Sequence, residues 1–408
     1  MLISMTTLGT LSASAADWFA KAPAENVAYS FALIGDIQTL TEKDVIDGSS
    51  YVSSIFSWLL AAKNSRKIEY VFGLGDTVET LSTWPEAQYN TSVQNPNEWK
   101  LASAQIHRLD GVIPYMVIRG NHDDEAGYHK YICTEAYKEQ MDEFFYDPSK
   151  PALHGNSMSN SYRKIEIGGV KYLMMALDFD LNEDVINWAN EVIAANPEYK
   201  VIVSVHAYIK EHAVFIKDKV GQPGANNQTD GDKWHDWISF DGRTMWDSIF
   251  SKHPNMFMVF CGHVAVDSPV THVRKGDNGN DVLHVLVDPQ GNDKRTPAGM
   301  VLLMNFKENG EQIEFEYFST VKRQYYKGYN QFTINTPECF TAEPVVEDTE
   351  ITTEEITTEP ETEAATTAAD TAAAKNNSCK SSISSTVAVT CIIGTTLSAF
   401  AMRKRQED

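Results

Sequence analysis

The feature that most constrains the fold is an alternation of short apolar runs with longer helical stretches between residues 29 and 333. Six runs are short, apolar and bounded by polar residues: 29–35, 68–75, 113–120, 171–178, 200–206 and 256–263. Three longer segments have helical patterns: 53–64, 98–109 and 183–196. Short apolar runs predict buried strands, and their alternation with helices indicates an α/β protein whose sheet is covered by helices.

Polar residues stand where five of these predicted strands end. They are Asp36, Asp76, Asn121, His206 and His263. Taken singly, each residue is weak evidence for a functional site, because a Gly-Asp pair after a strand is more often a turn and a lone histidine is more often a core residue. In α/β folds, however, ligands bind outside the carboxyl ends of the strands. We therefore expect these five side chains to converge.

The residue types of this set suit a metal centre. Hydrolysis of a phosphate ester at neutral pH needs a cation that polarises the phosphoryl oxygens and lowers the pKa of a bound water. Aspartate, asparagine and histidine are suitable ligands for such a cation. One carboxylate can bridge two ions about 3.5–4 Å apart, and Asp76, in the segment 75–79 (GDTVE), is the natural candidate. The sequence predicts one or two divalent ions, of manganese, iron or zinc.

The motifs in their order resemble those of the calcineurin-like metallophosphoesterases. The series reads 36–38 (DIQ), 75–79 (GDTVE), 120–123 (GNHD), His206 and 262–265 (GHVA). The resemblance covers about residues 29–320. It implies an α/β fold in which a two-layer β-sandwich is flanked by helices (α/β/β/α), with a two-metal centre at the strand ends.

The resemblance also implies a role for each motif residue. The implied metal ligands are Asp36, Gln38, Asp76, Asn121, His206 and His263. Asp76 would bridge the ions, Asp36 would serve the first metal position, and Asn121 and the two histidines would complete the second. His122 would be the general acid, or would stabilise charge on the leaving oxygen. Asp123 would orient His122 or lie just behind it.

Two departures from the family pattern affect the first metal position. Gln38 and Ala265 stand where the family has histidines. The position could keep its ion through Gln38, water and a replacement ligand such as His284; the enzyme could work with one ion; or catalysis could be lost. The variant also resembles a secreted branch of the family in which a downstream strand, here 282–290, ends in an Asp-rich turn and Gln, so a working variant is a further expectation.

Two functions follow as expectations. The first is a metal-dependent phosphomonoesterase or phosphodiesterase acting on a small or polymeric phosphoester. The alternative is a catalytically weakened surface protein that binds metal and a phosphorylated ligand. Tryptophans in two segments, Trp84, Trp99, Trp234, Trp237 and Trp246, either border the pocket or pack their loops onto the body.

The ends of the chain predict export and anchoring. Residues 1–15 resemble a signal peptide ending in Ala-Ser-Ala, and 16–340 would form the phosphoesterase domain. Residues 341–384 are a Thr/Glu-rich linker, 385–402 an uncharged transmembrane anchor, and 403–408 a cytoplasmic tail. We expect display on the outer face of a bacterial membrane. The net charge of −22 argues against a role on nucleic acid.

Overall fold

The structure, a computed structural model, describes residues 26–79, 93–146, 156–179, 181–216 and 241–342. The predicted signal peptide, anchor and tail, and the linker beyond residue 342, lie outside these residues. Within the described ranges, no helix has the length and apolar character needed to cross a membrane.

The first sheet combines parallel and antiparallel strands. Its strands in these ranges are β1 (Val27–Ile34), β2 (Ile68–Gly73), β3 (Tyr115–Val117), β11 (Met300–Lys307), β12 (Gln312–Ser319), β13 (Gln324–Tyr325) and β14 (Phe332–Asn335). Their order is β13-β12-β11-β1-β2-β3, and β14 also pairs with β12. β1, β2 and β3 are parallel, while β11 runs antiparallel to β1.

The second sheet has a parallel centre. Its strands are β4 (Glu143–Tyr146), β5 (Asn156–Ile167), β6 (Val170–Leu177), β7 (Lys200–Val205), β8 (Met256–Cys261), β9 (Val270–Lys275) and β10 (Asp281–Leu286). Their order is β4-β5-β6-β7-β8-β10-β9. β6, β7, β8 and β10 are mutually parallel, and antiparallel strands form both edges.

Helices connect and cover these strands. The described helices are α1 (Gln38–Asp47), α2 (Tyr51–Ala62), α3 (Pro96–Ile106), α4 (Glu125–Tyr131), α5 (Glu135–Lys138), α6 (Glu183–Ala194), α7 (Gly242–Met245) and α8 (Gln290–Arg295). A π-helical turn, Trp246–Phe250, continues α7. The start of α6 is fixed by Asn182, whose side chain accepts a hydrogen bond from the amide of Val185 at 2.9 Å.

The two sheets pack face to face. Phe72 of β2 meets Phe260 of β8 with ring centroids 5.0 Å apart. On the outer face of the first sheet, Trp58 of α2 stacks on Phe318 at 4.9 Å. α6 covers the outer face of the second sheet, where its Ile193 joins the buried apolar cluster of that face. The structure therefore confirms the predicted α/β sandwich flanked by helices.

Local elements agree with the sequence patterns better than strand pairing does. Each of the six predicted strands and three predicted helices is present, with ends shifted by a few residues. The C-terminal hairpin of β11 and β12 was not predicted, although β11 is the antiparallel neighbour of β1. Because β1, β2 and β3 are parallel, their carboxyl ends lie at the same edge of the first sheet.

Candidate metal centre

Polar residues that follow β1, β2, β3, β7 and β8 meet at one end of the sandwich. Contacts join the two sheets there: the amide of His263, after β8, donates to both carboxylate oxygens of Asp36, after β1, at 3.1 and 3.0 Å. Likewise, Nδ1 of His206 lies 2.7 Å from the carbonyl oxygen of Leu74. The convergence expected at the strand ends is thus what the structure has.

The second metal position contains three ligand atoms that lie close together. Asp76, His206 and His263 each offer one, all within 4.8 Å of one another. The bond from His206 Nδ1 to Leu74 assigns the proton to that nitrogen and turns Nε2 into the cluster. There Nε2 lies 3.1 Å from Asn121 Oδ1 and 3.3 Å from Asp76 Oδ1. Acceptor atoms gathered in this way fit a divalent cation.

The backbone holds Asp76 in a conformation that few side-chain-bearing residues adopt. Its φ is 47°, in the left-handed region. Its carbonyl oxygen accepts from the amides of Ile37 and Gln38, at 3.1 and 2.9 Å. The amide of His122 donates to its Oδ1 at 2.9 Å. Such strain persists where surrounding contacts over-determine it, and it clusters at functional sites.

Gly75 is required by the close approach of the two sheets. Its φ is +93°, and a Cβ there would lie 2.6 Å from Nδ1 of His206. A side chain at this position would therefore push His206 away from Asp76. The Gly-Asp pair that looked like a simple turn in the sequence has a specific packing reason.

The first metal position brings Asp36 and Gln38 together with two further residues. Gln38 Nε2 donates to Asp76 Oδ2 and to Gln290 Oε1, both at 3.2 Å. Gln290 Nε2 donates to Asp36 Oδ2 at 3.3 Å and to Asp288 Oδ2 at 2.8 Å. The resemblance to a secreted branch pointed to the end of the strand at 282–290, an Asp-rich turn and Gln, but predicted no contact for Asp288 or Gln290. Their signal was the one shared by the other motifs, polar residues directly after a buried strand.

The pKa values of the buried carboxyl groups shift in opposite directions: those of Asp36 and Asp288 are raised, and that of Asp76 is lowered. Burial, with the nearby Asp288 and Asp76, raises the pKa of Asp36 well above its usual range. Burial also raises the pKa of Asp288 to about 6. Burial acts on Asp76 in the same sense, but His206 and His122 outweigh it and hold the pKa of Asp76 below its usual range. Asp76 is therefore the carboxylate prepared to be anionic.

His122 lies at the rim of the cluster. Its side chain is 32% exposed, its Nε2 is 4.0 Å from Asp76 Oδ2, and its Nδ1 is 3.4 Å from Glu79 Oε1. An accessible imidazole beside two carboxylates is suited to carry a proton to a bound substrate. Glu79, which no sequence argument placed beside His122, follows β2 in the same loop as Asp76.

The side chain of Asp123 accepts hydrogen bonds from backbone amides of two loops at the site. Its Oδ1 accepts from the amides of Thr77 and Val78 at 2.8 and 3.1 Å, and its Oδ2 accepts from Gly120 at 3.0 Å. Burial, followed by the nearby Asp76, raises the pKa of Asp123 to about 8. These contacts match the predicted location behind His122 and not direct orientation of its ring. The catalytic role assigned to Asp123 stays a prediction.

His284 is not a replacement ligand, and this expectation was wrong. Its ring packs on Tyr208 at 5.4 Å and Trp246 at 5.2 Å between centroids. Alternation along β10 places Leu283 and Val285 between the sheets, so His284 faces the outer side of the second sheet. Burial lowers the pKa of His284 well below its usual range.

The described tryptophans pack loops and helices onto the body. Trp99 of α3 is fully buried, and its Nε1 donates to Asp124 Oδ2 at 2.7 Å. Trp246 packs against Phe215 at 6.3 Å between ring centroids. Of the two alternatives, packing is the one that holds for both residues. Trp84, Trp234 and Trp237 lie outside the described residues.

A two-sheet α/β sandwich with carboxylate, amide and imidazole ligands at its strand ends defines the metal-binding phosphoesterase class. The model of the family named calcineurin-like phosphoesterase matches residues 29–267. The chain belongs to that family, as the motif resemblance predicted.

Individual relatives are distant. The uncharacterized protein YvnB of Bacillus subtilis (strain 168) is 24% identical over an alignment of 329 residues that covers 77% of this chain. The chain spans 21% of the length of that relative. A solved structure of GAP50, described as the anchor in the inner membrane complex of Plasmodium, aligns over 76% of this chain and 89% of its own. Its identity is 10% and its TM-score 0.38.

Proposed function

We propose that this chain is a metal-dependent hydrolase of phosphomonoesters or phosphodiesters. The observation that carries the proposal is the convergence of Asp76, His206 and His263, whose ligand atoms lie within 4.8 Å of one another at the strand ends. Membership in the calcineurin-like phosphoesterase family supports it.

The proposed metal ligands are Asp36, Gln38, Asp76, Asn121, His206 and His263. Divalent ions held there would polarise phosphoryl oxygens and lower the pKa of a bound water. His122 donates a proton to the leaving oxygen, since its ring is accessible at the rim. The Glu79 carboxylate, with Oε1 3.4 Å from Nδ1, holds one side of the ring, and Nε2 lies on the side of Asp76, 4.0 Å from its Oδ2.

Asp123 has a positioning role in this mechanism. It ties the loop after β2 to the loop after β3 through the three backbone hydrogen bonds described above. Those loops carry Asp76 and His122, whose separation therefore depends on Asp123. Fixed distances between the metal ligands and the proton donor are what make such a site productive.

The test is hydrolysis of p-nitrophenyl phosphate and bis(p-nitrophenyl) phosphate by the full chain, purified in a mild detergent. The protein is freed of metal by chelation and then supplied with Mn²⁺, Fe²⁺ or Zn²⁺. We expect metal-dependent turnover that Asp76→Asn abolishes and that His272→Asn, at an exposed position on the edge strand β9, leaves intact. Equal turnover by Asp76→Asn would refute the proposed centre.

The second candidate function is binding of a phosphorylated ligand without turnover. It is favoured by one observation, Gln38 and Ala265 at the two positions where the family has histidines. It would be supported if the metal-loaded chain bound inorganic phosphate saturably by calorimetry but released no nitrophenol from either ester.

Display at the cell surface belongs to the same proposal. It is supported by the signal-like segment 1–15 and by the uncharged run 385–402, which a basic cluster follows. Protease added to intact bacterial cells expressing the full chain should remove the phosphoesterase domain. A domain protected until the cells are lysed would contradict surface display.

A further inference from the structure

The first metal position has an unusual set of donors. Asp36, Gln38 and Asp288 are each fully buried, and Gln290 is half-buried beside them. The amide group of Gln290 contacts this group: its Nε2 lies 2.8 Å from Asp288 Oδ2, 3.3 Å from Asp36 Oδ2 and 3.5 Å from the carbonyl oxygen of His263. A single NH₂ group thus stands at the centre of three oxygen atoms.

Two features of this cluster are unsatisfied by the protein alone. Oε1 of Gln38 is buried and has no hydrogen-bond partner, an arrangement that is unfavourable for a polar atom. In addition, the buried carboxyl groups of Asp36 and Asp288 accept hydrogen bonds from one and the same NH₂ group, that of Gln290, at 3.3 and 2.8 Å, so two acidic groups lie close together in the protein interior. A cation would satisfy both features.

The two glutamines can supply oxygen without moving their backbones. Each directs its NH₂ group at a carboxylate, Gln38 at Asp76 and Gln290 at Asp288 and Asp36. Rotation of a terminal amide by half a turn exchanges its nitrogen and oxygen, and the two orientations differ only in their hydrogen bonds. With a cation in place, both amides would present oxygen.

The turn that carries Gln290 also lies next to the position of the missing second imidazole. A Cβ built on Gly291 would lie 3.4 Å from the Cβ of Ala265. The start of α8 therefore adjoins the site where the family's histidine would begin. Asp288 and Gln290 therefore lie beside Ala265, the position at which the family's histidine is missing.

We propose that Asp288 and Gln290 complete the first metal position, which then binds Mn²⁺ or Mg²⁺ in preference to Zn²⁺ through oxygen atoms alone. Carboxylate and carbonyl oxygens are preferred by these hard cations, whereas Zn²⁺ favours nitrogen and sulfur. The second position, with the imidazoles of His206 and His263, keeps the opposite preference. The inference rests on the proposed metal-dependent function and gives each of its two ion sites a different chemistry.

The test counts bound metal in the full chain, without reference to turnover. Metal-free protein is titrated with Mn²⁺, and free Mn²⁺ is followed by its electron paramagnetic resonance signal. We expect two Mn²⁺ per chain for the natural protein and one tight Mn²⁺ for Asp288→Asn and Gln290→Ala. Removal of a residue that only supports a metal ligand weakens metal binding by about 10- to 100-fold. In these variants the affinity for the second, more weakly bound Mn²⁺ should fall by at least that factor.

Matched controls lie outside the cluster. Asp281→Asn is at the opposite end of the same strand, β10, and Gln312→Ala is exposed on β12; both should bind two Mn²⁺. Melting of each metal-free variant checks folding, and half-buried Gln290 provides a substitution that disturbs the core less than one at Asp288. Addition of excess Zn²⁺ to the natural protein should displace one Mn²⁺ and leave the other.

Three results would overturn the inference: natural affinity for two Mn²⁺ in folded Asp288→Asn and Gln290→Ala, displacement of both Mn²⁺ ions by Zn²⁺ with equal ease, or a natural protein that binds a single ion. The last would mean that the amides of Gln38 and Gln290 take the place of an ion. Two bound ions without ester hydrolysis would count against the proposed function and leave this inference standing.

Discussion

Replacement of Asp123 by asparagine separates a supporting role from a direct role beside His122. The natural carboxylate accepts three backbone hydrogen bonds, from Thr77 and Val78 on one oxygen and from Gly120 on the other. Asparagine has one oxygen and one NH₂ group. If its oxygen serves Thr77 and Val78, its NH₂ group faces the amide of Gly120, and a buried N–H is left without an acceptor.

The expected cost follows from that one unsatisfied amide. A buried donor without a partner costs about 1–3 kcal/mol. For a domain of this size, each kcal/mol corresponds to a shift in melting temperature of about 2–4 °C. Metal-free Asp123→Asn should therefore melt roughly 2–12 °C below the natural protein, as measured by circular dichroism at pH 9, above the pKa of about 8 of Asp123. Asp281→Asn, a matched change on β10, should melt within about 1 °C of it.

The same variant distinguishes the two roles by its kinetics. If Asp123 only holds the loops, the pH dependence of kcat should keep its shape, because His122 and its neighbour Glu79 are unchanged. An unaltered melting temperature together with a displaced pH profile would refute this reasoning and favour direct contact between Asp123 and the imidazole during the reaction.

Three further predictions test other parts of the structure. His122→Asn should lower kcat by about 10²- to 10⁴-fold, the range for general acid catalysis, while metal content, measured by elemental analysis, stays natural. Gly75→Ala places a Cβ 2.6 Å from Nδ1 of His206, so Zn²⁺ affinity should fall by at least tenfold in a calorimetric titration; an unchanged affinity would show that the loop adapts freely. Burial raises the pKa of Asp293 from 3.8 to about 7. Its folded state therefore binds the proton more tightly, its contribution to stability is complete below about pH 4 and declines as pH rises to 7, and Asp293→Asn should remove this decline in urea unfolding of metal-free protein.

The sequence alone determined the local elements and most of the candidate ligands. β1, β2, β7 and β8 are buried apolar runs, and such runs are visible in a short window because burial requires apolar side chains along the whole strand. Asp36, Asp76, His206 and His263 stand directly after those runs. Their convergence could be inferred because parallel strands of an α/β sheet end at a common edge.

Only the tertiary structure decided how distant segments complete the site. Asp288 and Gln290 reach Asp36 because β10 lies beside β8, a pairing that no local period encodes. The orientation of His284 was undetermined for a related reason: β10 is covered on both faces, so alternation shows that neighbouring side chains point oppositely but does not say which of them face the metal centre. Contacts such as that between Glu79 and His122 depend on two loops meeting, and their geometry is set by packing of the whole sandwich.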